Sequence, residues 1–240
     1  MSPKRSGPKI NVNQPNNMNK LKYIIAVLIG VAALGFQQAK ADTFSFTLNG
    51  SNILPGSSGP FVSVLVNRTS STTATITFTS LTKGGNIYLL GDGGSIAVNV
   101  NAASWSLGTI TGSNSGTGFT AGGPFTNGGA GNEDGFGSFN QTINTFDGFT
   151  HSSDTMSITL TNLSGTWANA LAVLTGNSQG NLAAAHIFVT SFPANASNGA
   201  SITGFASGVG TPSVPDGGAT VMLLGAALGA LGMVRRYLKS

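Results

Sequence analysis

Three stretches of the chain alternate strictly between apolar and polar side chains. Phe44, Phe46 and Leu48 are separated by Ser45 and Thr47. Ala74, Ile76 and Phe78 stand among Thr73, Thr75, Thr77 and Thr79, and Met156, Ile158 and Leu160 among Thr155, Ser157, Thr159 and Thr161. Successive strand side chains point to opposite faces, so this period of two predicts strands with one face in a core and the other in water. Phe61–Val66, Asn86–Leu90, Ser95–Val100, Gln141–Phe146 and His186–Phe192 are further strand candidates. Turn-forming runs such as Lys83-Gly84-Gly85-Asn86 and Gly91-Asp92-Gly93-Gly94 separate several of them. Eight or more short strands without a convincing helix predict an all-β fold, an antiparallel two-sheet sandwich of jelly-roll-like form. Thr166–Leu174 reads either as a strand or as the one short helix. Gly112–Gly137, rich in Gly, Asn, Ser and Thr with Phe119, Phe125 and Phe136 among them, reads as a long loop and a first place for a binding surface.

The two ends of the chain follow a different pattern. Met1–Lys22 carries Lys4, Arg5, Lys9, Lys20 and Lys22 without an acidic residue, and Tyr23–Phe36 is uncharged and apolar. Ala39-Lys40-Ala41 then supplies small side chains at the spacing a signal peptidase needs, with Asp42 as the mature start. A start at Met18 gives a compact Met-Asn-Lys-Leu-Lys leader, and residues 1–17 then read as an extension. The expected organisation is a signal peptide over 1–41, an exported domain over 42–213 and a tail over 214–240.

That tail has three parts. Val214-Pro215-Asp216-Gly217-Gly218 is polar, and its proline and glycines keep it out of helix and open to an enzyme. Ala219–Val234 contains no charge and would extend about 24 Å as a helix. This is slightly short of the roughly 20 residues a bilayer core prefers, yet within reach of a thinned membrane. Arg235, Arg236 and Lys239 form a basic stop that holds the C-terminus on the cytoplasmic side. In these residues the chain resembles the PEP-CTERM protein-sorting family, in the variant whose motif begins Val-Pro-Asp. Asp216 in place of Glu, and Gly217 where Ser is frequent, are its departures from the common pattern. The resemblance covers about a tenth of the chain and implies handling by an exosortase, a membrane-embedded transpeptidase-like enzyme that cuts near the motif. It also implies export in a bacterium that makes exopolysaccharide, with transient anchoring in the inner membrane before release to the cell surface or beyond.

Charge sharpens this division. The chain is formally +4, but nine of its eleven basic residues lie in the two end segments. Residues 42–213 hold Arg68 and Lys83 against six acidic residues, a net charge of −4. Nucleic acid is therefore excluded as an expected partner of the domain. The absence of cysteine rules out disulfides, so a sheet core must hold the fold unaided.

The chain offers little catalytic chemistry. Gly176-Asn177-Ser178-Gln179-Gly180 fits the G-x-S-x-G pattern of a nucleophile elbow, but that motif needs a strand turning into a helix on a parallel sheet. It reads as a turn. Gly116–Ala121 mimics a dinucleotide fingerprint without the following helix and reads as a loop. His151 and His186 are the only histidines, too few for a zinc site; His186 reads as a half-buried strand residue. Asn132, Glu133, Asp134 and Asp147 offer hard oxygen ligands of the kind calcium accepts, with solvated loop acids as the plainer reading. Trp105, Trp167 and Tyr88 read as core in preference to a sugar-stacking platform. The expected function is an exported structural or interaction protein of the cell surface, matrix or biofilm, sorted by an exosortase, without enzymatic activity or required cofactor. An exported polysaccharide hydrolase, or a calcium- or glycan-binding module, is the alternative.

Overall fold

The Thr-rich alternation becomes one sheet. The computed structural model describes residues 42–53, 59–115, 118–192 and 200–210, and everything below concerns these. Strands β1 (Asp42–Leu48), β3 (Val62–Arg68), β4 (Thr73–Ser80), β11 (Thr155–Asn162) and β8 (Trp105–Ser113) lie side by side in that order, each antiparallel to its neighbours. Their registers align apolar residues into continuous rungs. Phe44 faces Val66, which faces Ile76, then Ile158, then Ile110. Such a rung places every second residue of each strand in the interior, and each large side chain fully buried there contributes about 1.5–3 kcal/mol.

A second antiparallel sheet closes the other side of the core. Its order is β2 (Gly50–Ser51), β13 (Ile202–Gly208), β12 (Ala183–Ser191), β7 (Ile96–Val98), β10 (Gly137–Asn144) and β9 (Thr126–Glu133). Strand β6 (Asn86–Leu90) also pairs with β12, and β5 (Thr82–Lys83) with β6. The main core takes Tyr88, Leu90, Ile96, Val98, Ile143, Ala183, Ala185, Ile187 and Val189 from this sheet. Unlike the first sheet, it is covered on its outer face too: Phe188 packs with Ile87, Leu89 and Phe119, and Ala184 with Ala97 and Phe139. β12 is thus apolar on both faces, which explains why its sequence runs Ala-Ala-Ala-His-Ile-Phe-Val without alternation.

Several expectations are refined. Gly112–Gly137 is not a single loop, because it contains the whole of β9. β9 has no apolar side chain larger than the Ala130 methyl; its glycines make room for a neighbour, since a Cβ at Gly128 would run into Thr142 Oγ1. β8 escapes a period-two reading because of a bulge. Ile158 pairs with Ile110 and Leu160 with Leu107, so residues 108 and 109 stand opposite Thr159 alone and the apolar parity changes along the strand. Thr166–Leu174 holds a short 3-10 turn, Ala170–Val173, which Asn169 caps by its Oδ1 accepting from Ala172 N at 2.9 Å.

Candidate functional site

β6 and β7 run along the same edge of β12 as one interrupted strand. Leu90 pairs with Ile187 and Ala97 with Ala184, so residues 91–96 stand opposite only residues 185 and 186. The surplus, Gly91-Asp92-Gly93-Gly94-Ser95, loops out of the sheet. Asp92 adopts φ 61° at its turn, a conformation asparagine and aspartate tolerate better than most residues. The loop is pinned from several sides. Gly91 N donates to His186 O at 3.3 Å and His186 N to Gly94 O at 3.1 Å. The Ser95 hydroxyl lies 2.8 Å from Asp92 O and 3.1 Å from Ile143 O, and Gly94 N donates to Asn144 Oδ1 at 3.0 Å.

His186 stands beside this loop on the outer face of β12. Its ring stacks on Phe205 of β13 at 4.3 Å between centroids and 19° between planes, with Phe188 at 4.7 Å. Gly93 O can only accept, so Nδ1 donates to it at 3.1 Å, and Nε2 is left to accept from the Thr203 hydroxyl at 2.7 Å. Burial lowers the basicity of the imidazole; the Gly93 hydrogen bond and the Asp92 charge oppose that effect.

Glu133 ends β9 on the far side of the loop. It is 2% exposed, and its Oε2 has no hydrogen-bond partner. Burial raises its pKa to about 8, so the carboxyl is neutral near pH 7. The group is seated against Gly94, which has φ +64°. Gly93, Gly94, Gly128, Gly131, Asn132, Thr142, Asn144, Phe205 and Glu133 together line a cavity of about 210 Å³. A wider groove of about 480 Å³ runs between β1 and the end of β13, but no titratable side chain lines it.

The calcium candidates do not converge. Asp147, with φ 54°, is held by its own loop: Oδ1 accepts from Phe149 N at 3.0 Å and Oδ2 from Thr150 Oγ1 at 2.9 Å, which lowers its pKa. His151 Nδ1 lies 3.5 Å from the same carboxylate. Asp134 is exposed, while Glu133 is buried and Asn132 borders its cavity. Among the described residues no three His, Asp or Glu side chains come together.

The remaining candidates are local structure. Trp167 and Tyr88 are buried, Tyr88 against Phe61 at 4.8 Å, and Trp105 is half-buried with Nε1 donating to Gln141 Oε1 at 3.1 Å. Residues 176–180 form a turn, in which Asn177 Oδ1 accepts from both Gln179 N and Asn181 N at 3.0 Å. Asp42 begins β1; its Oδ2 accepts from Ala170 N at 2.7 Å and lies 3.6 Å from Arg68 Nε. Gly94, Asn144, Thr203 and Phe205 were not legible as site residues, because their grouping depends on sheet pairing. One signal was present: the only glutamate of the chain stands in a glycine-rich, charge-poor run.

Ala39, Ala41, Val214, Pro215, Asp216, Gly217, Gly218, Arg235, Arg236 and Lys239 lie outside the described residues, as do the apolar segments 23–36 and 219–234. Among the described residues no helix is long and apolar enough to cross a membrane. No curated protein and no solved structure matches the chain. Residues 213–238 do match a family model, the VPDSG-CTERM motif. The chain therefore carries a PEP-CTERM-like sorting signal, which marks it as a protein for export and exosortase-type processing.

Proposed function

We propose that the chain is a non-catalytic structural or interaction protein of the cell surface, delivered there by signal peptidase and an exosortase-type enzyme and associated with exopolysaccharide. The single observation that carries this reading is the match at residues 213–238. Composition supports the rest: residues 42–213 carry few charges and no cysteine, and their abundant Gly, Ser, Thr and Asn suit an exposed, hydrated surface. A polysaccharide hydrolase would ordinarily pair two carboxyl groups across the scissile bond. Among the described residues Glu133 is the one carboxyl lining its cavity, so no specific observation favours the hydrolase.

The tail would work by simple geometry. A proline is restricted to φ near −65° and disfavours helix in the residue before it, and glycine has no side chain to crowd a protease groove, so Pro215, Gly217 and Gly218 are the residue types such a motif needs. Asp216 is the charged handle of the motif. Arg235 and Arg236 act through topology, because they resist passage through the bilayer. In a host bearing the cognate exosortase, Pro215→Ala with Asp216→Ala should leave a folded precursor that stays uncleaved and membrane-bound. Mass and cell-fractionation measurements decide this; processing like that of the parent would overturn the reading.

A further inference from the structure

We propose that the cavity beside Glu133 is a binding site for an organic primary ammonium group, carried by a small amine or an amino sugar. The proposal does not depend on the sorting tail. Its first support is the orphan oxygen. Glu133 is almost wholly buried, yet Oε2 has no partner among the described residues, and the residue lines a cavity of about 210 Å³. A buried polar atom left without a hydrogen bond costs about 1–3 kcal/mol; Oε2 is closed off from solvent as it stands, so a donor in the cavity recovers that cost once the carboxyl turns toward it.

Charge and shape choose the donor. Neither basic residue of the domain, Arg68 nor Lys83, lines the cavity, so Glu133 ionises there only with a cation brought from outside. One carboxylate matches one positive charge. A divalent ion would keep a charge excess here, since no second acid lines the walls. Phe205 supplies an aromatic wall, held in place by its stack on His186, and a ring beside a carboxylate suits a cation with a carbon skeleton. Asn132, Asn144 and Thr142 add amide and hydroxyl groups around the rest. His186 faces Gly93 and Thr203, so it positions the ring and does not compete for the ligand. On binding, Glu133 gives up its proton to solvent and the ammonium takes its place, so the cavity gains no net charge.

The chain contains a single glutamate, which makes the site directly observable. Full-length protein labelled with glutamate bearing carbon-13 at the side-chain carboxyl, held in a non-ionic detergent micelle, should give one glutamate carboxyl resonance. Titration at pH 7 with n-butylammonium, glucosamine, glucose and calcium chloride separates the possibilities. Butylammonium and glucosamine should both move the resonance toward its ionised position and lower its apparent pKa by about one unit, a tenfold preference for the ionised form. Glucose and calcium should leave it in place. Phe205→Leu should weaken the amine response several-fold while the unliganded spectrum remains folded. Glu133→Gln matches the neutral carboxyl in shape, and it should abolish amine binding measured by calorimetry. An equal response to glucose, a response to calcium alone, no response to either amine, or full binding by Glu133→Gln would each overturn the proposal.

Discussion

The carboxylate of Glu133 occupies the space into which a side chain at residue 94 would project: a Cβ on Gly94 would lie 2.3 Å from Oε1 and 2.5 Å from Oε2. Two residues 39 positions apart are thus fitted to one another, the one by lacking a side chain and the other by filling its place. Gly94 also has φ +64°, where other residues are strained.

Gly94→Ala should therefore destabilise the protein by about 1–3 kcal/mol, through strain and displacement of the buried carboxyl together. Adding Glu133→Ala to Gly94→Ala should recover the steric part and leave the backbone part. Denaturant unfolding of the two single variants and the double variant measures this coupling. Simple additivity would show that the carboxyl moves aside freely.

Glu133 also predicts a pH dependence. Its folded pKa, about 8, stands above the ordinary glutamate value of 4.5. Between these values the folded state binds more protons than the unfolded one, so stability falls as pH rises. The stabilisation is fully present below about pH 4.5 and lost once pH passes about 8. At about 1.4 kcal/mol per unit the whole effect is at most roughly 4–5 kcal/mol. Glu133→Gln should flatten the stability profile between pH 5 and 8. A profile that kept its slope would place the cause elsewhere.

His186 acts at the acid side. Its pKa is lowered, chiefly by burial, so below about pH 6.5 the unfolded chain binds a proton that the folded chain resists, and stability falls as pH drops. His186→Gln should remove that acid loss, read from thermal unfolding between pH 5 and 7. If the acid limb persists unchanged, the ring is not desolvated as described.

The exported chain is expected to begin at Asp42, which N-terminal sequencing of secreted protein checks. Cleavage there keeps all of β1 and leaves the Asp42 carboxylate to accept from Ala170 N and to face Arg68. A start inside β1 would cut the rung at Phe44. Asp42→Ala should lower stability by about 1 kcal/mol, the usual worth of one hydrogen bond.

A fragment of residues 42–213 should fold by itself, with a strand-type far-ultraviolet spectrum and a cooperative melt. Both sheets and their common core lie inside it. A random-coil spectrum would mean that the end segments are needed for folding.

The periodic strands were legible without any structure. β1, β4 and β11 bury one face only, so alternation in their composition directly reports the sheet they form. The sorting tail was legible for a related reason. Its signal is a matter of linear order, proline, glycines, an uncharged run and a basic end in succession, so no tertiary contact is needed to read it. β8, β9 and β12 were harder to read in full. A bulge changes the parity of β8, Thr142 forces glycine into β9, and a second covered face removes alternation from β12. Of the Glu133 cavity the sequence showed only Asn132 and Glu133 themselves, not the residues that meet them. The cavity joins Gly94, Glu133, Asn144 and Phe205 from segments far apart in the chain. Local sequence sets which face of a strand is apolar; only the pairing of strands sets which distant residues meet, and a buried carboxyl acquires its chemistry from that meeting.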